Sequence, residues 1–251
     1  MSEKWLEGEV IENRHWTDQL YSLKVRTSPL KFEAGQFVRI ALDTMEGDAG
    51  SRVARPFSFV NAPHDPVLEL YGVVVPEGPL SPRLARLTAG DRLYVAPNPA
   101  GFLVLSEVPP AAQSLWLMAT GTGIAPFLSM LRTDALWARF REVVLVHAVR
   151  HAKELVYQEL IREVRGERPA LRSVTFVSRE SHPPSLAGRI PAAIADGRLE
   201  RAAGATLSDL SHVMLCGNPA MLKDARAALL ARGLRKHRRH TPGHIAVESF
   251  W

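Results

Sequence analysis

The stretch Thr120-Gly121-Thr122-Gly123-Ile124-Ala125-Pro126 decides how the second half of this chain folds. It follows the apolar run 115–119 and leads into the apolar segment 127–131, which predicts a strand, a glycine turn and a helix in succession. The two glycines have no side chains to intrude, so a pyrophosphate could approach the backbone amides at the start of the helix. The proline replaces the third glycine of the dinucleotide fingerprint and is tolerated early in a helix. Taken alone, the pattern is equally typical of an ordinary strand-to-helix turn.

Strand and helix patterns alternate from this stretch to the C-terminus. Strands are expected at 115–119, 143–147, 173–177, 212–216 and 244–251, and helices at 125–132, 155–164, 190–195 and 220–232. Repeated βα units of this kind predict a parallel sheet with helices on both faces. Ligands of such sheets lie over the carboxyl ends of the strands, so the residues directly after each strand are the candidate site.

The first part of the chain is β-rich instead. Short strands are expected at 8–13, 20–25, 36–40, 55–60, 68–75 and 92–95, with one helical segment at 80–87. This spacing predicts a closed six-stranded antiparallel barrel. The stiff segment Pro97-Asn98-Pro99-Ala100-Gly101 separates the two patterns, so we expect a barrel domain at 1–98 and a nucleotide-binding α/β domain at 99–251.

Composition excludes several classes of protein. With 251 residues and a hydrophobic content of 46%, the chain can bury two cores of moderate size. No segment approaches the roughly 20 apolar residues of a membrane span, and the start has no signal-peptide pattern, so we expect a cytoplasmic protein without a membrane partner. The single cysteine, Cys216, excludes an internal disulfide, and the histidines form no metal-binding pattern, so no metal is expected.

The net charge of +5 indicates either an acidic partner or a solvated basic surface. Much of the excess lies in residues 232–240, Arg-Gly-Leu-Arg-Lys-His-Arg-Arg-His. This run lacks the interleaved aromatics that favour nucleic-acid binding, and we expect no nucleic-acid partner. It is compatible with an electrostatic collar for an acidic protein or a nucleotide phosphate, and with a merely solvated segment.

Arginines follow the expected strands of the parallel sheet. Arg150 stands after the second strand, where an NAD-preferring site usually has an acidic residue, and Arg179 and Arg189 follow further along. Guanidinium groups bind phosphate oxygens bidentately, which suits the 2′-phosphate of NADP. The other reading is that each is an ordinary surface arginine.

The segment Arg55-Pro56-Phe57-Ser58-Phe59 combines a cation, two aromatics and a hydroxyl in one expected barrel strand. Alternation places Arg55, Phe57 and Phe59 on one face and Ser58 on the other. This suits a ligand with a flat ring and a diphosphate, although both phenylalanines could equally be barrel core. The terminal pair Phe250-Trp251 could close over a flat ligand or plug the mouth of the barrel.

Six motifs occur together in a fixed order along the chain. They are Arg55-Pro-Phe-Ser-Phe59, Gly78-Pro-Leu-Ser-Pro-Arg-Leu84, Ala119-Thr-Gly-Thr-Gly-Ile-Ala-Pro126, Val146-His-Ala-Val-Arg150, Leu215-Cys-Gly-Asn-Pro219 and Val247-Glu248. Together they closely resemble the ferredoxin/flavodoxin–NADP reductase family in its bacterial subclass. The resemblance runs from Trp5 to Trp251 and implies FAD and NADP(H) as cofactors.

The resemblance implies a flavin seat in the barrel. Arg55 would hold the FAD pyrophosphate, Phe57 would lie against the isoalloxazine, and Ser58 would hydrogen-bond near flavin N5. The seat would be completed by Pro56, Tyr71, Gly72, Val73, Val74, Leu80 and Ser81. Phe57 and Phe59 stand where relatives often have tyrosines, so we expect a tyrosine hydroxyl bond to the flavin ribose or phosphate to be missing.

The resemblance also implies a nicotinamide side. Cys216 and Glu248 would lie beside the nicotinamide during hydride transfer together with Thr122, while Thr120 and Gly123 belong to the nucleotide turn. The three arginines would bind the 2′-phosphate. Phe250 would cover the second flavin face, and Trp251 would stack on the adenine of a bent FAD.

We therefore expect a monomeric enzyme that exchanges a hydride between NADP(H) and flavin N5 and single electrons with an acidic ferredoxin or flavodoxin. A second reading is an NADPH-dependent flavin or quinone reductase that needs no protein partner. A third is a nucleotide-sensing or nucleic-acid-binding module that keeps this fold without catalysis.

Overall fold

The computed structural model describes residues 4–44 and 51–249, and these residues form two six-stranded sheets. The first sheet is antiparallel and comes from the first part of the chain, as expected. Its strands are β1 Leu6–His15, β2 Leu20–Thr27, β3 Phe37–Asp43, β4 Arg52–Ser58, β5 Leu68–Val73 and β6 Arg92–Val95. They lie in the order β4-β3-β6-β1-β2-β5.

The antiparallel sheet closes on itself between its two edge strands. Directly after β4, Phe59 forms an antiparallel bridge with Leu70 of β5, and the amide of Val60 donates to the Glu69 carbonyl at 2.8 Å. The interior is filled by alternate, inward-facing apolar side chains, which is the pattern that β-rich alternation predicts. These include Val10, Leu23, Val25, Val38, Ile40, Phe59, Leu70, Leu93 and Val95. The helix predicted at 80–87 is shorter, because only Ser81–Leu84 (α1) is helical and a turn follows.

The second sheet is wholly parallel. Its strands are β7 Ser114–Thr120, β8 Glu142–Val149, β9 Leu171–Val177, β10 Leu186–Ala187, β11 Ser211–Cys216 and β12 Ile245–Glu248, in the order β10-β9-β8-β7-β11-β12. In chain order, β8, β9 and β10 are therefore added on one side of β7, and β11 and β12 on the other side. The carboxyl end of β7 is thus the topological switch point, where open α/β sheets bind ligands. The glycine turn follows β7 directly.

Helices cover both faces of the parallel sheet, as predicted. They are α2 Ala125–Leu131, α3 Asp134–Arg139, α4 Gln158–Glu167, α5 Ile190–Ala195, α6 Arg198–Ala203 and α7 Pro219–Ala231. Along β7, Leu115 and Leu117 pack with α2, α3 and α4, whereas Trp116 and Met118 pack with α5, α6 and α7. Period-two alternation in a strand buried on both sides explains this division, since successive side chains point to opposite faces.

Four details of the parallel-sheet part differ from the prediction. The helix expected at 155–164 begins only at Gln158, because Tyr157 adopts a left-handed conformation with φ of 60°. The helices α3 and α6 and the two-residue strand β10 were not predicted, since each is too short to show a hydrophobic period. Among the described residues, no helix is long and apolar enough to cross a membrane.

Candidate functional site

The glycine turn forms a single 3₁₀ turn, Gly121–Ile124, that leads into α2 with Pro126 in its first turn. Gly121 has φ of +53° and a Cβ atom there would meet nothing within 4 Å, so the turn is open on this side. Gly123 is packed instead, because a Cβ atom at this position would lie 2.7 Å from the Cys216 carbonyl oxygen. One glycine therefore leaves room for a ligand, and the other allows the turn to touch the neighbouring strand.

The glycine turn is held by hydrogen bonds from both neighbouring strands. The amide of Asn218, which follows β11, donates to the Thr120 hydroxyl at 2.8 Å. On the other side, the buried ring of His147 in β8 donates from Nε2 to the Gly121 carbonyl at 3.0 Å. Burial lowers the pKa of His147 to about 4, so the ring is neutral at physiological pH. These contacts preorganise the turn before any ligand binds.

A cavity of about 340 Å³ opens between the antiparallel barrel and the glycine turn. We call it the flavin cavity, because the residues that the resemblance assigns to the flavin meet here. Its lining residues are Arg55, Pro56, Phe57, Ser58, Tyr71, Gly72, Val73, Val75, Gly78, Pro79, Leu80, Ser81 and Thr122. Eleven of these are within the two barrel motifs or β5, Val75 lies in the loop after β5, and Thr122 comes from the parallel-sheet part of the chain. The cavity is therefore lined by residues from both parts of the chain.

The polar atoms of the flavin cavity fit a flat heteroaromatic ligand. The Ser58 hydroxyl and the Tyr71 hydroxyl are buried and have no hydrogen-bond partner among the described residues. Buried polar atoms normally have partners, so two unpartnered hydroxyls on residues that line one cavity indicate a ligand with its own polar edge. Burial raises the pKa of Tyr71, so its phenol stays protonated and can donate. At Gly72, a Cβ atom would lie 3.0 Å from the Phe57 ring, which explains how this ring packs against bare backbone.

The two phenylalanines of the barrel motif both pack against the barrel core, in agreement with the expectation that they share a face, but they differ in exposure. Phe57 lines the flavin cavity, whereas Phe59 is completely buried and stacks on Phe32 with ring centroids 3.9 Å apart. Strand β4 ends at Ser58, and Phe59 forms an isolated antiparallel bridge with Leu70 of β5. Arg55 is exposed, and its guanidinium donates to the Ala54 carbonyl at 2.7 Å.

The loop after β5 contributes more than was predicted. Val75, Gly78 and Pro79 line the flavin cavity but were not among the expected site residues, whereas Val74 does not line it. The Ser81 hydroxyl accepts a 2.9 Å hydrogen bond from the Val75 amide and so closes this loop. Gly78 and Pro79 belong to the same quoted motif as Leu80 and Ser81, which is the signal that could have identified them.

Cys216 and Glu248 lie side by side at the carboxyl end of the parallel sheet. They are register partners in the β11–β12 ladder, and Cys216 also backs the glycine turn. The Glu248 Oε2 atom accepts a 2.8 Å hydrogen bond from the Phe102 amide, whereas its Oε1 atom is buried without a partner among the described residues. Burial raises the pKa of Glu248, an effect that the amides of Phe102 and Leu103 oppose. Burial, followed by the charge of Glu248, raises the pKa of Cys216, so the thiol is neutral.

The three predicted arginines lie at one edge of the site. Arg150 follows β8 and Arg179 follows β9, and the Arg179 amide donates to the Arg150 carbonyl at 2.9 Å. Arg189 follows β10, and all three residues are exposed. Their guanidinium groups make no hydrogen bond or ion pair with the part of the chain that the structure describes. They are therefore available to an anionic ligand.

The basic run 232–240 is only partly a free surface. Arg232 pairs with Glu200, Arg239 pairs with Glu107 at 2.7 Å, and His237 is buried against the Phe102 ring. Phe250 and Trp251 lie outside the described residues. No group of metal-binding side chains occurs within residues 4–44 and 51–249.

Comparisons with known proteins match both parts of the chain. Residues 117–227 match a family model described as the oxidoreductase NAD-binding domain. The chain is 46% identical over 250 residues to the flavodoxin/ferredoxin–NADP reductase of Shigella flexneri, which covers 98% of this chain and 99% of that relative. The reductase of the same name from Escherichia coli strain K12 matches with the same identity and coverage. A crystal structure of a ferredoxin NADP+ reductase from Neisseria gonorrhoeae with bound FAD and NADP superposes with a TM-score of 0.92, at 31% identity and over 99% of both chains.

Proposed function

The chain belongs to the flavodoxin/ferredoxin–NADP reductase family, and from this premise we propose how its own residues carry out the reaction. It is an FAD-dependent oxidoreductase that uses NADP(H) and exchanges electrons with ferredoxin or flavodoxin. The observation that carries the residue assignments is the flavin cavity, because its wall combines the barrel motif with the glycine turn at the switch point of the parallel sheet.

The barrel residues would hold the FAD. Phe57 and Tyr71 offer ring surfaces, the unpaired Ser58 hydroxyl offers a hydrogen bond, and Arg55 supplies the charge for the pyrophosphate. The seat would be completed by Pro56, Gly72, Val73, Leu80 and Ser81, and by Val75, Gly78 and Pro79 in place of the expected Val74. When bound, FAD accepts a hydride and releases the electrons singly, so the protein needs to supply orientation and water exclusion rather than a strong acid or base.

The residues at the carboxyl end of the parallel sheet would position the nicotinamide. Thr122 lines the flavin cavity, and Cys216 and Glu248 lie behind it at the ends of β11 and β12. A neutral thiol and a largely buried carboxyl group are suited to packing and hydrogen bonding rather than to nucleophilic attack. Thr120 and Gly123 would hold the nucleotide turn, since they join it to the loop after β11.

Cofactor preference is proposed to reside in Arg150, Arg179 and Arg189. Three exposed guanidinium groups without partners in the described chain would suit the 2′-phosphate that distinguishes NADP from NAD. We further propose that Phe250 covers the second face of the flavin and that Trp251 stacks on the adenine. The boundary between the two domains is proposed at residues 98 and 99, within the proline-rich segment.

The protein partner is proposed to be an acidic ferredoxin or flavodoxin. This partner would bind the reductase as a monomer in the cytoplasm. The net charge of +5 supports this proposal, because opposite charge accelerates the encounter of two proteins. Exposed cations include Arg55 at the flavin cavity and Arg235, Lys236 and Arg238 of the basic run.

The test is the visible spectrum of the purified protein, followed by anaerobic addition of NADPH and then of a carrier. We expect bound flavin absorbance, bleaching by NADPH faster than by NADH, and reoxidation by ferredoxin or flavodoxin. A protein that binds no FAD would overturn the site assignments. Efficient reoxidation by free flavin or quinone, with none by either carrier, would indicate the partner-independent reductase instead.

A further inference from the structure

A chain of hydrogen bonds crosses from the antiparallel barrel to the parallel-sheet part of the molecule. The Trp16 indole Nε1 lies 2.7 Å from the Ser22 hydroxyl, which lies 2.5 Å from the Tyr157 hydroxyl. The Tyr157 hydroxyl lies 2.9 Å from Glu69 Oε1. Trp16, Ser22 and Glu69 belong to the barrel, whereas Tyr157 precedes α4. The Tyr157 hydroxyl is therefore inserted between two barrel side chains.

The two end groups of this series of hydrogen bonds determine which group donates in each bond. An indole can only donate and an ionised carboxylate can only accept, so the order is Trp16 to Ser22, Ser22 to Tyr157, and Tyr157 to Glu69. Burial, followed by the charge of Glu69, raises the pKa of Tyr157, so the phenol retains the proton that it donates. Each hydroxyl accepts one bond and donates another, and neither is left unsatisfied.

Glu69 receives a second contact from the parallel-sheet part. The guanidinium of Arg132, at the end of α2, lies 3.4 Å from Glu69 Oε2 and 3.1 Å from Asp65 Oδ2. Only 16% of the Glu69 side chain is exposed, so this ion pair is partly shielded from water. The barrel carboxylate is consequently held by two residues that flank helices of the parallel-sheet part, Tyr157 before α4 and Arg132 after α2.

The Tyr157 ring also supports the wall of the flavin cavity. It meets the Tyr71 ring edge-on, with centroids 5.4 Å apart and planes at 77°, and it lies 4.9 Å from the Trp16 ring. Tyr71 lines the flavin cavity and is two residues beyond Glu69 in β5. A single ring therefore separates the hydrogen-bond chain from the flavin cavity.

The backbone of Tyr157 is held in an unfavourable conformation. Its φ is 60° and its ψ is 18°, and within the described ranges it is the one residue other than glycine with a positive φ. Such backbone conformations persist when surrounding contacts hold them, and they are enriched at sites with a role in function. Here the contacts come from Ser22, Glu69, Trp16 and Tyr71, all of which belong to the barrel.

We propose that Tyr157 is a positioning residue that sets the alignment of the parallel-sheet part of the chain, which carries the glycine turn, with the barrel wall of the flavin cavity, through its hydroxyl contacts to Ser22 and Glu69 and its ring contact to Tyr71. The proposal rests on the proposed function, because alignment matters only if two rings must meet in this cavity. A displacement of about 1 Å between reacting groups can lower a rate by up to about a hundredfold.

The test compares Tyr157→Phe with wild type by rapid mixing with NADPH. The variant keeps the ring and removes the hydroxyl, so we expect unchanged FAD content, an NADPH dissociation constant within about twofold, and hydride transfer slowed about tenfold. Tyr94→Phe is the matched control, because the Tyr94 hydroxyl also contacts a carboxylate, Asp43 Oδ2 at 3.1 Å, but within the barrel. This control should transfer hydride at the wild-type rate.

A second measurement does not depend on the reaction. Hydrogen exchange of the FAD-free protein should show faster exchange of the β5 amides in Tyr157→Phe than in wild type, and no change in Tyr94→Phe. Glu69→Gln should lower the hydride rate similarly, and the double variant with Tyr157→Phe should be no slower than either single variant.

Unchanged hydride transfer and unchanged β5 exchange in Tyr157→Phe would overturn the proposal. A loss of rate that only follows a loss of bound FAD would also overturn it, because Tyr157 would then be a stabilising residue alone. If wild type itself takes up no FAD, the proposed function fails, and the exchange comparison still decides whether Tyr157 couples to β5.

Discussion

Gly123 lies so close to Cys216 that a Cβ atom at position 123 would be 2.7 Å from the Cys216 carbonyl oxygen and 2.8 Å from its carbonyl carbon. The obstructing atoms are backbone, and they cannot move aside as a flexible side chain could. This contact presses the glycine turn after β7 against the end of β11. It also brings the nucleotide turn and the residue beside Glu248 into one rigid unit.

Gly123→Ala should therefore destabilise the protein and weaken nucleotide binding. We expect the free energy of unfolding to fall by about 1–3 kcal/mol, as for other overpacked sites, and the Michaelis constant for NADPH to rise. Urea unfolding and steady-state kinetics measure the two effects. Gly166→Ala is the control, because Gly166 lies in α4 with open space around it, and alanine there should raise stability by about 0.5–1 kcal/mol. Equal behaviour of the two variants would contradict the packing argument.

Reversing the charge at Arg150 and Arg179 should change the choice of nucleotide. In the double variant Arg150→Glu with Arg179→Glu, we expect the Michaelis constant for NADPH to rise about ten- to a hundredfold, because charge-assisted bonds to the 2′-phosphate are replaced by repulsion. The constant for NADH should change little. Arg162→Glu, an exposed arginine of α4, serves as control. Similar effects on both nucleotides would show that these arginines are bystanders.

Glu248 should matter to stability through its hydrogen bond rather than through its charge. Glu248→Ala removes the acceptor of the Phe102 amide, and we expect a loss of about 1–2 kcal/mol in the free energy of unfolding. Glu248→Gln keeps an acceptor oxygen and should lose less. Because burial raises the pKa of Glu248 above its ordinary 4.5, the wild-type contribution is greatest below pH 4.5 and is lost as pH rises through the folded pKa.

Wild type and Glu248→Gln should therefore differ in how their stability depends on pH. The advantage of wild type over Glu248→Gln should shrink from pH 4 towards pH 7, as urea unfolding at both values would show. An advantage that grows over this range would mean that the carboxylate is stabilised by its surroundings, against the burial argument.

His147 should make the protein sensitive to acid. Its pKa is lowered from 6.5 to about 4 by burial, so its contribution to stability is present above pH 6.5 and is lost as pH falls towards 4. The shift corresponds to on the order of 3 kcal/mol at the acid end. Glutamine offers a donor to the Gly121 carbonyl but does not titrate, so His147→Gln should lose less stability than wild type between pH 6.5 and 4. The exposed His240→Gln variant is the control and should lose as much stability as wild type over this range. An equal pH dependence of stability in all three proteins would exclude His147 as the source of the acid sensitivity.

Electron transfer to the carrier should depend strongly on salt. Opposite charges steer association, so we expect the second-order rate constant for carrier reduction to fall about tenfold between low and high ionic strength. Stopped-flow mixing of NADPH-reduced enzyme with carrier measures it. A rate constant that is flat across ionic strength would remove electrostatic steering from the proposed function.

Much of the fold could be predicted because its signals are local. The six barrel strands and the five long strands of the parallel sheet appear near their expected positions, since alternation and apolar runs report which faces are buried. The short helices α3 and α6 carry no period and were missed. The bridge between Phe59 and Leu70 of β5, directly after the end of β4, was also missed. Alternation within a strand cannot report where its neighbour changes.

The sequence by itself determined the order of strands and helices, the glycine turn and the family motifs, because steric preferences and hydrophobic periods act over a few residues. Only the tertiary structure decided that Ser22 and Tyr157, 135 positions apart, share one hydrogen bond beneath the flavin cavity. It also decided that Gly123 touches the end of β11 and that His147 holds the glycine turn. Such contacts follow from how the closed barrel and the parallel-sheet part pack on each other, and packing selects partners by shape and unsatisfied polar atoms rather than by distance along the chain.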